Sequence, residues 1–328
     1  MLTKIWKISF VLLTLAALTF GCSSPQTPAP TAAPTATAAT TATTAPSPTP
    51  AGIEIVDGLG TTIQLAGPAQ RVVSLAPSNT EILFAVGAGA QVVGRDEFTN
   101  YPAEALNLPS VGGSMGNYNA EAIVGLKPDL VLAAEINSPE LIKELQGLGL
   151  TVFYLSNPVS LDGMYANLST IAQLTGQTEQ TNTMIEALKL RVAAVKSQLG
   201  TPASLPTVFY ELDASTPNAP YTVGPGSFMD LLIKEAGGVN ITADQTSPWV
   251  QLSLEALVVK DPEIILLGDS NYGVTPESVG QRAGWEDLKA VKNGKVLPFN
   301  DDLVSRPGPR LVDGLEELAK LFHPEIFK

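Results

Sequence analysis

The chain has 328 residues, with 32 acidic against 19 basic and a net charge of -13, a balance that disfavours nucleic-acid backbones, which reward clustered Lys and Arg. Its single cysteine, Cys22, and single histidine, His323, exclude zinc fingers, disulfide frameworks and HExxH metalloproteases. Apolar residues make up 45% and charged residues 16%, enough to build a sizeable core. A Ser-His-Asp triad would have to use His323, which reads as a surface residue at a helix end.

Residues 1–22 read as an export signal: Lys4 and Lys7, the apolar run Ile8–Phe20, then Gly21 and Cys22. The run is shorter than the ~20 apolar residues of a membrane-spanning helix. Gly-Cys after such a run resembles the lipobox of bacterial lipoproteins, which would leave Cys22 as an acylated N-terminus. Thr19 and Phe20 depart from that pattern, where the lipobox has Leu and a small residue. Residues 23–52 carry no charge, and 25 of these 30 are Thr, Ala or Pro. Such a segment lacks the apolar side chains that offset ordering entropy, so it reads as a disordered tether reaching up to roughly 90 Å at ~3.1 Å per residue. These features imply a protein held outside the cell membrane by a lipid anchor.

From Ile53 the chain becomes structured. Ile53–Val56 and Thr62–Leu65 flank Asp57-Gly58-Leu59-Gly60, a hairpin pattern. The strand Arg71–Leu75 precedes Ser78-Asn79-Thr80-Glu81, a capping box that opens a helix ending at Gly87–Gly89, and a strand follows at Gln91–Gly94. The second half offers a parallel: Tyr221-Thr222-Val223, Ser227 with Asp230 three residues on, an apolar helix, Gly237-Gly238, and Val239–Ile241. A second block repeats more clearly. Asn119–Val124 precedes Lys127-Pro128-Asp129 and an apolar strand, and Ser253–Val258 precedes Asp261-Pro262-Glu263 and another. The two glutamates, Glu121 and Glu255, lie 134 residues apart. Between the halves, Thr178–Leu199 contains no Gly or Pro, and Ile185, Leu188, Val192, Val195 and Leu199 recur at helical spacing. The fold class is therefore α/β: two similar lobes, 53–176 and 202–328, joined by one backbone helix over 177–201.

Arg71–Ser78, Asn119–Leu132, Tyr221–Gly226, Ser247-Pro248-Trp249 and Ser305–Arg310 together resemble the helical-backbone substrate-binding proteins of ABC importers. That group captures cobalamin, ferric siderophores and haem, and the cobalamin-binding members are the most similar. The resemblance covers Ile53 to the C-terminus. It implies a monomer with no resident cofactor, a ligand cleft between the lobes, and Glu121 and Glu255 docking on arginines of a membrane permease. A carboxylate near a helix start is also favoured by the helix dipole, which stands as the local alternative for both.

By the same resemblance, Phe98, Tyr101, Met115 and Tyr118 would face the ligand from the first lobe and Tyr221, Trp249 and Arg306 from the second. Aromatic faces suit a flat corrin or porphyrin, and an arginine suits an anionic rim group. A salt bridge with Asp301, Asp302 or Asp313 is the rival role for Arg306. Haem would need a tyrosine ligand, and anionic siderophores would need several cations, so a corrinoid comes first, a ferric siderophore second and haem third. An extracytoplasmic hydrolase using a carboxylate pair is the remoter alternative, a passive adhesin a further one, and neither a phosphate loop nor a nucleophile elbow is expected.

Overall fold

The computed structural model describes residues 52–327, so the export signal, Cys22 and nearly all of the tether lie outside the described residues. β1 (Ile53–Val56) and β2 (Thr62–Leu65) form the expected antiparallel hairpin, with Ile53 opposite Leu65. Asp57 builds its turn by accepting from Leu59 N at 2.9 Å and Thr61 N at 2.8 Å, an Asx turn.

The first lobe alternates strand and helix: β3 (Val72–Ser74), α1 (Pro77–Ala85), β4 (Val92–Gly94), α2 (Ala120–Gly125), β5 (Leu130–Ala134), α3 (Pro139–Gly147), β6 (Val152–Leu155) and α4 (Leu161–Thr175). Its sheet is wholly parallel, in the order β4-β3-β5-β6. β5 is buried at every position, as expected of a parallel strand covered on both faces. The start of α1 differs from the capping box. Ala76 is the N-cap, Pro77 occupies the first turn, and no side chain caps the helix. Pro pre-sets the helical φ at that position, so the helix begins without Ser78. Glu81 is buried and turned towards the second lobe, where charge-assisted partners outbid a backbone amide.

α5 (Thr178–Leu199) has the expected 22 residues, about 33 Å at 1.5 Å per residue. It buries Ile185, Leu188, Val192 and Val195 and packs against both α4 and the last helix of the chain. The second lobe follows: β7 (Thr207–Asp213), β8 (Tyr221–Val223), α6 (Phe228–Glu235), β9 (Val239–Asn240), β10 (Trp249–Gln251), α7 (Leu254–Lys260), β11 (Ile264–Leu267), α8 (Pro276–Gly280), α9 (Lys289–Lys292), β12 (Val296–Pro298) and α10 (Leu311–Phe322). Here β9, β7, β11 and β12 are parallel and repeat the order of the first lobe, while β8 and β10 form an added antiparallel ribbon.

The counterpart of β3 is therefore β7, not Tyr221–Val223 as the sequence pattern suggests. β9 pairs with the beginning of β7 and β8 with its end, so the ribbon extends the sheet only beyond the repeated part. The second repeated block matches down to its backbone. Lys127 and Asp261 each end a helix in the left-handed region, at φ 50° and 40°. The acidic residue two positions on then clamps the neighbouring strand: Asp129 accepts from Arg71 N at 2.9 Å and Glu263 from Thr207 N at 2.9 Å.

A single apolar cluster runs from Ile63 and Leu65 through α1, α4 and α5 to α6 and α10. Swinging the lobes widely apart would expose part of it at about 25 cal/mol per Å2, so both are held against the strut. The strut is also tied by charge, Arg191 to Asp313 at 2.6 Å and to Glu316 at 2.7 Å. His323 does sit at a helix end but is buried rather than on the surface. α10 ends there, and Nε2 donates to Gly237 O at 3.1 Å.

Candidate ligand-binding site

In open α/β sheets, ligands bind outside the carboxyl ends of the strands. Those ends carry exposed large apolar side chains here: Phe98 after β4, Ile136 after β5, Val159 after β6 and Tyr272 after β11. Tyr221 and Trp249 add to them from the β8–β10 ribbon. Trp249 lies opposite Val223 and Tyr221 opposite Gln251, so period-two alternation puts Tyr221 and Trp249 on one face, both about half exposed.

The other expected residues are used differently. The Tyr101 ring lies 4.2 Å from the Arg310 guanidinium, a cation–π stack. Met115 is 94% exposed on a short turn at φ 51°. Tyr118 spends its hydroxyl inside the first lobe, donating to Leu75 O at 2.7 Å and accepting from Asn137 Nδ2 at 2.8 Å. Burial, with the charge of Asp96 second, pushes its phenol up to about 12. One five-residue run does carry the spacing of a nucleophile elbow, Gly112-Gly113-Ser114-Met115-Gly116. Ser114 stands on an exposed turn rather than between a strand and a helix, and His323 is enclosed in the other lobe.

Arg306 is the centre of a network between the lobes. Nη1 donates to Glu81 Oε1 at 2.8 Å and Asn100 Oδ1 at 2.6 Å, and Nη2 lies 2.8 Å from Asp302. Arg310 closes on the same Glu81 carboxylate at 2.7 and 2.5 Å. Asp301 and Asp313 go elsewhere, to Tyr210 and Arg191. The loop that presents Phe98 is fixed by Asp96, which accepts from Phe98 N at 2.8 Å and from the Thr99 hydroxyl. Burial raises the Asp96 carboxyl against the pull of these bonds and of Arg306. Below the second lobe's strand ends, Glu211 is fully buried and pairs with Arg282 at 2.6 and 2.8 Å. Beside it Asp269 is pushed up to about 7 by burial first and by the Glu211 charge second.

Two cavities lie where the lobes face each other. One, about 540 Å3, borders Tyr101, Arg310 and the C-terminal half of α1, away from the strand ends. The other, about 310 Å3, is at the strand ends, with Leu59, Glu135, Asn157 and Val159 on one side and Phe228 and Trp249 on the other. Of the seven expected ligand residues, Tyr101 lines the first and Trp249 the second. Leu59, Glu135, Ile136, Val159 and Tyr272 were not anticipated. The available signal was their position in the loops that follow β5, β6 and β11 or in the hairpin turn.

Glu121 and Glu255 occupy the second position of α2 and α7, in equivalent first turns. Asn119 and Ser253 cap the two helices, accepting from Ala122 N at 2.9 Å and Ala256 N at 3.2 Å. Both glutamates are exposed, and exposed Val124 and Val258 follow each by one turn.

The model of the family described as periplasmic binding protein matches residues 72–303. The chain is 33% identical over 279 residues to an uncharacterized ABC transporter substrate-binding lipoprotein, YvrC, of Bacillus subtilis, covering 84% of this chain and 87% of that one. It is also 33% identical over 279 residues to a cobalamin-binding protein of Halobacterium salinarum, covering 81% and 73%. The crystal structure of the periplasmic vitamin B12-binding protein BtuF of Vibrio cholerae superposes with a TM-score of 0.68 at 30% identity, over 78% of this chain and 98% of that one. With two parallel-sheet lobes set on one long helix and this match across most of its length, the chain belongs to the periplasmic binding protein family in its helical-backbone form.

Proposed function

We propose that this protein is the extracytoplasmic substrate-binding component of an ABC importer and that its ligand is a corrinoid, with cobalamin the first candidate. The observation that carries the ligand choice is the charge of the site. Exposed Phe98, Ile136, Val159, Tyr221, Trp249 and Tyr272 ring the strand ends, while the one cation lining either cavity, among the described residues, is Arg310, already closed on Glu81. A corrin offers a broad apolar face and a rim of neutral amides, which such a surface accommodates. Porphyrin propionates and anionic siderophores would meet Glu135 instead of a free arginine. Haem would also need an axial ligand; His323 and Tyr118 have polar atoms engaged elsewhere, which leaves exposed Tyr221 and Tyr272 for that role. The names of the Halobacterium and Vibrio relatives favour the same choice.

In this reading the lobes, 53–176 and 202–328, hold the ligand between them on the helix of 177–201. Glu121 and Glu255 present matched charges to a two-fold permease, and Cys22 carries the lipid anchor. A carboxylate-pair hydrolase finds less support, because Glu81 and Glu211 are each paired with arginine and the buried pair Glu211–Asp269 lines neither cavity. The test is titration of the full chain with cyanocobalamin, a ferric siderophore and haemin, followed by heat and tryptophan fluorescence. Of the three tryptophans, Trp6 lies outside the described residues, Trp285 is fully buried and Trp249 half exposed, so quenching that disappears in Trp249→Phe reports the cleft. Saturable one-to-one cyanocobalamin binding is the expected result. Binding of haemin or siderophore alone would replace the corrinoid while keeping the importer role.

A further inference from the structure

The smaller cavity has a wall that the aromatic pattern does not supply, the tip of the β1–β2 hairpin. This tip is held rigidly against the end of β6. Asp57 is 7% exposed, and besides its two turn amides it accepts from Tyr154 N at 3.4 Å, while Gly58 N donates to Tyr154 O at 2.8 Å. A Cβ on Gly58 would come within 2.1 Å of the Ser156 hydroxyl, so the side-chain-free residue is what lets the turn lie this close. The consequence is that Leu59, 53% exposed, faces the cavity from the first lobe, together with Val159, while Trp249 faces it from the second.

Glu135 stands in the same wall, directly after β5. Its carboxylate accepts one long bond, from Asn157 N at 3.3 Å, and forms no ion pair among the described residues. No Lys or Arg lines this cavity. Around it the lining is both polar, at Tyr154, Ser156 and Asn157, and apolar, at Leu59 and Val159, and an exposed carboxylate there can accept N–H donors and repels anions. At about 310 Å3 the space takes an edge of a large chelate rather than the whole molecule.

We propose that this wall is the specificity element of the ligand site: Leu59 and Val159 seat an apolar edge, and Glu135 accepts a hydrogen bond from a neutral amide N–H on the ligand rim. Amide-rimmed macrocycles are thereby selected against carboxylate-rimmed ones. The inference rests on the corrinoid reading above, and the experiment separates the two.

The full chain, wild type and with Glu135→Gln, Glu135→Lys or Leu59→Ala, is titrated with cyanocobalamin and with each of its three peripheral monocarboxylic acids, in which one propionamide is hydrolysed. The wild type is expected to bind at least one acid roughly tenfold more weakly than the parent amide. Glu135→Gln should remove that difference, Glu135→Lys should invert it, and Leu59→Ala should weaken all four ligands alike. Both positions are exposed, so unchanged thermal unfolding of the variants is the expected control. Equal binding of all four ligands by the wild type, or discrimination that survives Glu135→Gln, overturns the assignment while leaving the corrinoid reading intact. Absence of any cyanocobalamin binding by the wild type overturns both.

Discussion

The two lobes open their first helices with the same pattern, a serine and a carboxylate three residues on, in Ser78-Asn79-Thr80-Glu81 and Ser227-Phe228-Met229-Asp230, and put it to different uses. In the second lobe the local pattern operates. Ser227 caps α6 by accepting from Asp230 N at 3.1 Å, and Asp230 stays near home with Lys234 and Asn240. In the first lobe Ser78 lies inside α1, and Glu81 crosses to Arg306 and Arg310. A second equivalent pair diverges in the same way. Glu135 and Asp269, 134 residues apart, both follow the strand at the repeat's centre, yet one stands in the cavity and the other is buried beside Glu211. A duplicated pattern sets where an element begins, and the partner available in space sets what the side chain does.

The largest effect should come from breaking the crossing pair. Glu81→Ala leaves the largely buried Arg310 guanidinium without a carboxylate and Arg306 with Asp302 alone, and should cost about 3–5 kcal/mol, read by urea unfolding. An effect no larger than that of removing an exposed pair such as Lys189–Glu186 would show that the network does not join the lobes.

Next comes Asp269. Its native carboxyl holds a proton up to about 7, against 3.8 in the unfolded chain, so the native state binds more protons between those values. Stability should therefore fall as pH rises through that window and level off above it. Asp269→Asn stays neutral and can donate to Glu211, so its melting temperature should decline less with pH and exceed the wild type's above about pH 7. A constant offset between the two proteins across the window would refute the raised Asp269 carboxyl.

The smallest contrast tests the caps themselves. Ser227→Ala should cost about 1 kcal/mol, and Ser78→Ala, which removes no capping bond, should stay within about 0.5 kcal/mol. Equal losses at both serines would mean that α1 is capped after all.

Much of this architecture was legible because its causes are local. The hairpin, the strut Thr178–Leu199 and the paired helix–Pro–strand blocks each follow from spacing, turn residues or repetition. The equivalence of β7 with β3 was not, because the inserted β8 imitates the strand that normally precedes the helix. The site was legible in part. Trp249 and Tyr221 declare themselves as exposed aromatics on a polar-flanked ribbon, whereas Leu59, Glu135 and Val159 look like ordinary loop residues until β6 and the hairpin tip are brought together.

The sequence by itself determined the α/β class, the duplication, the strut and the acidic, cation-poor character of the chain, because periodicity, capping chemistry and composition act over a few residues or over none in particular. Only the tertiary structure decided that Arg306 is closed on Glu81, that His323 is buried against Gly237, and that a hairpin turn walls the cleft. Those outcomes depend on which groups meet across more than 85 residues of chain, and desolvation and charge pairing act only where they meet.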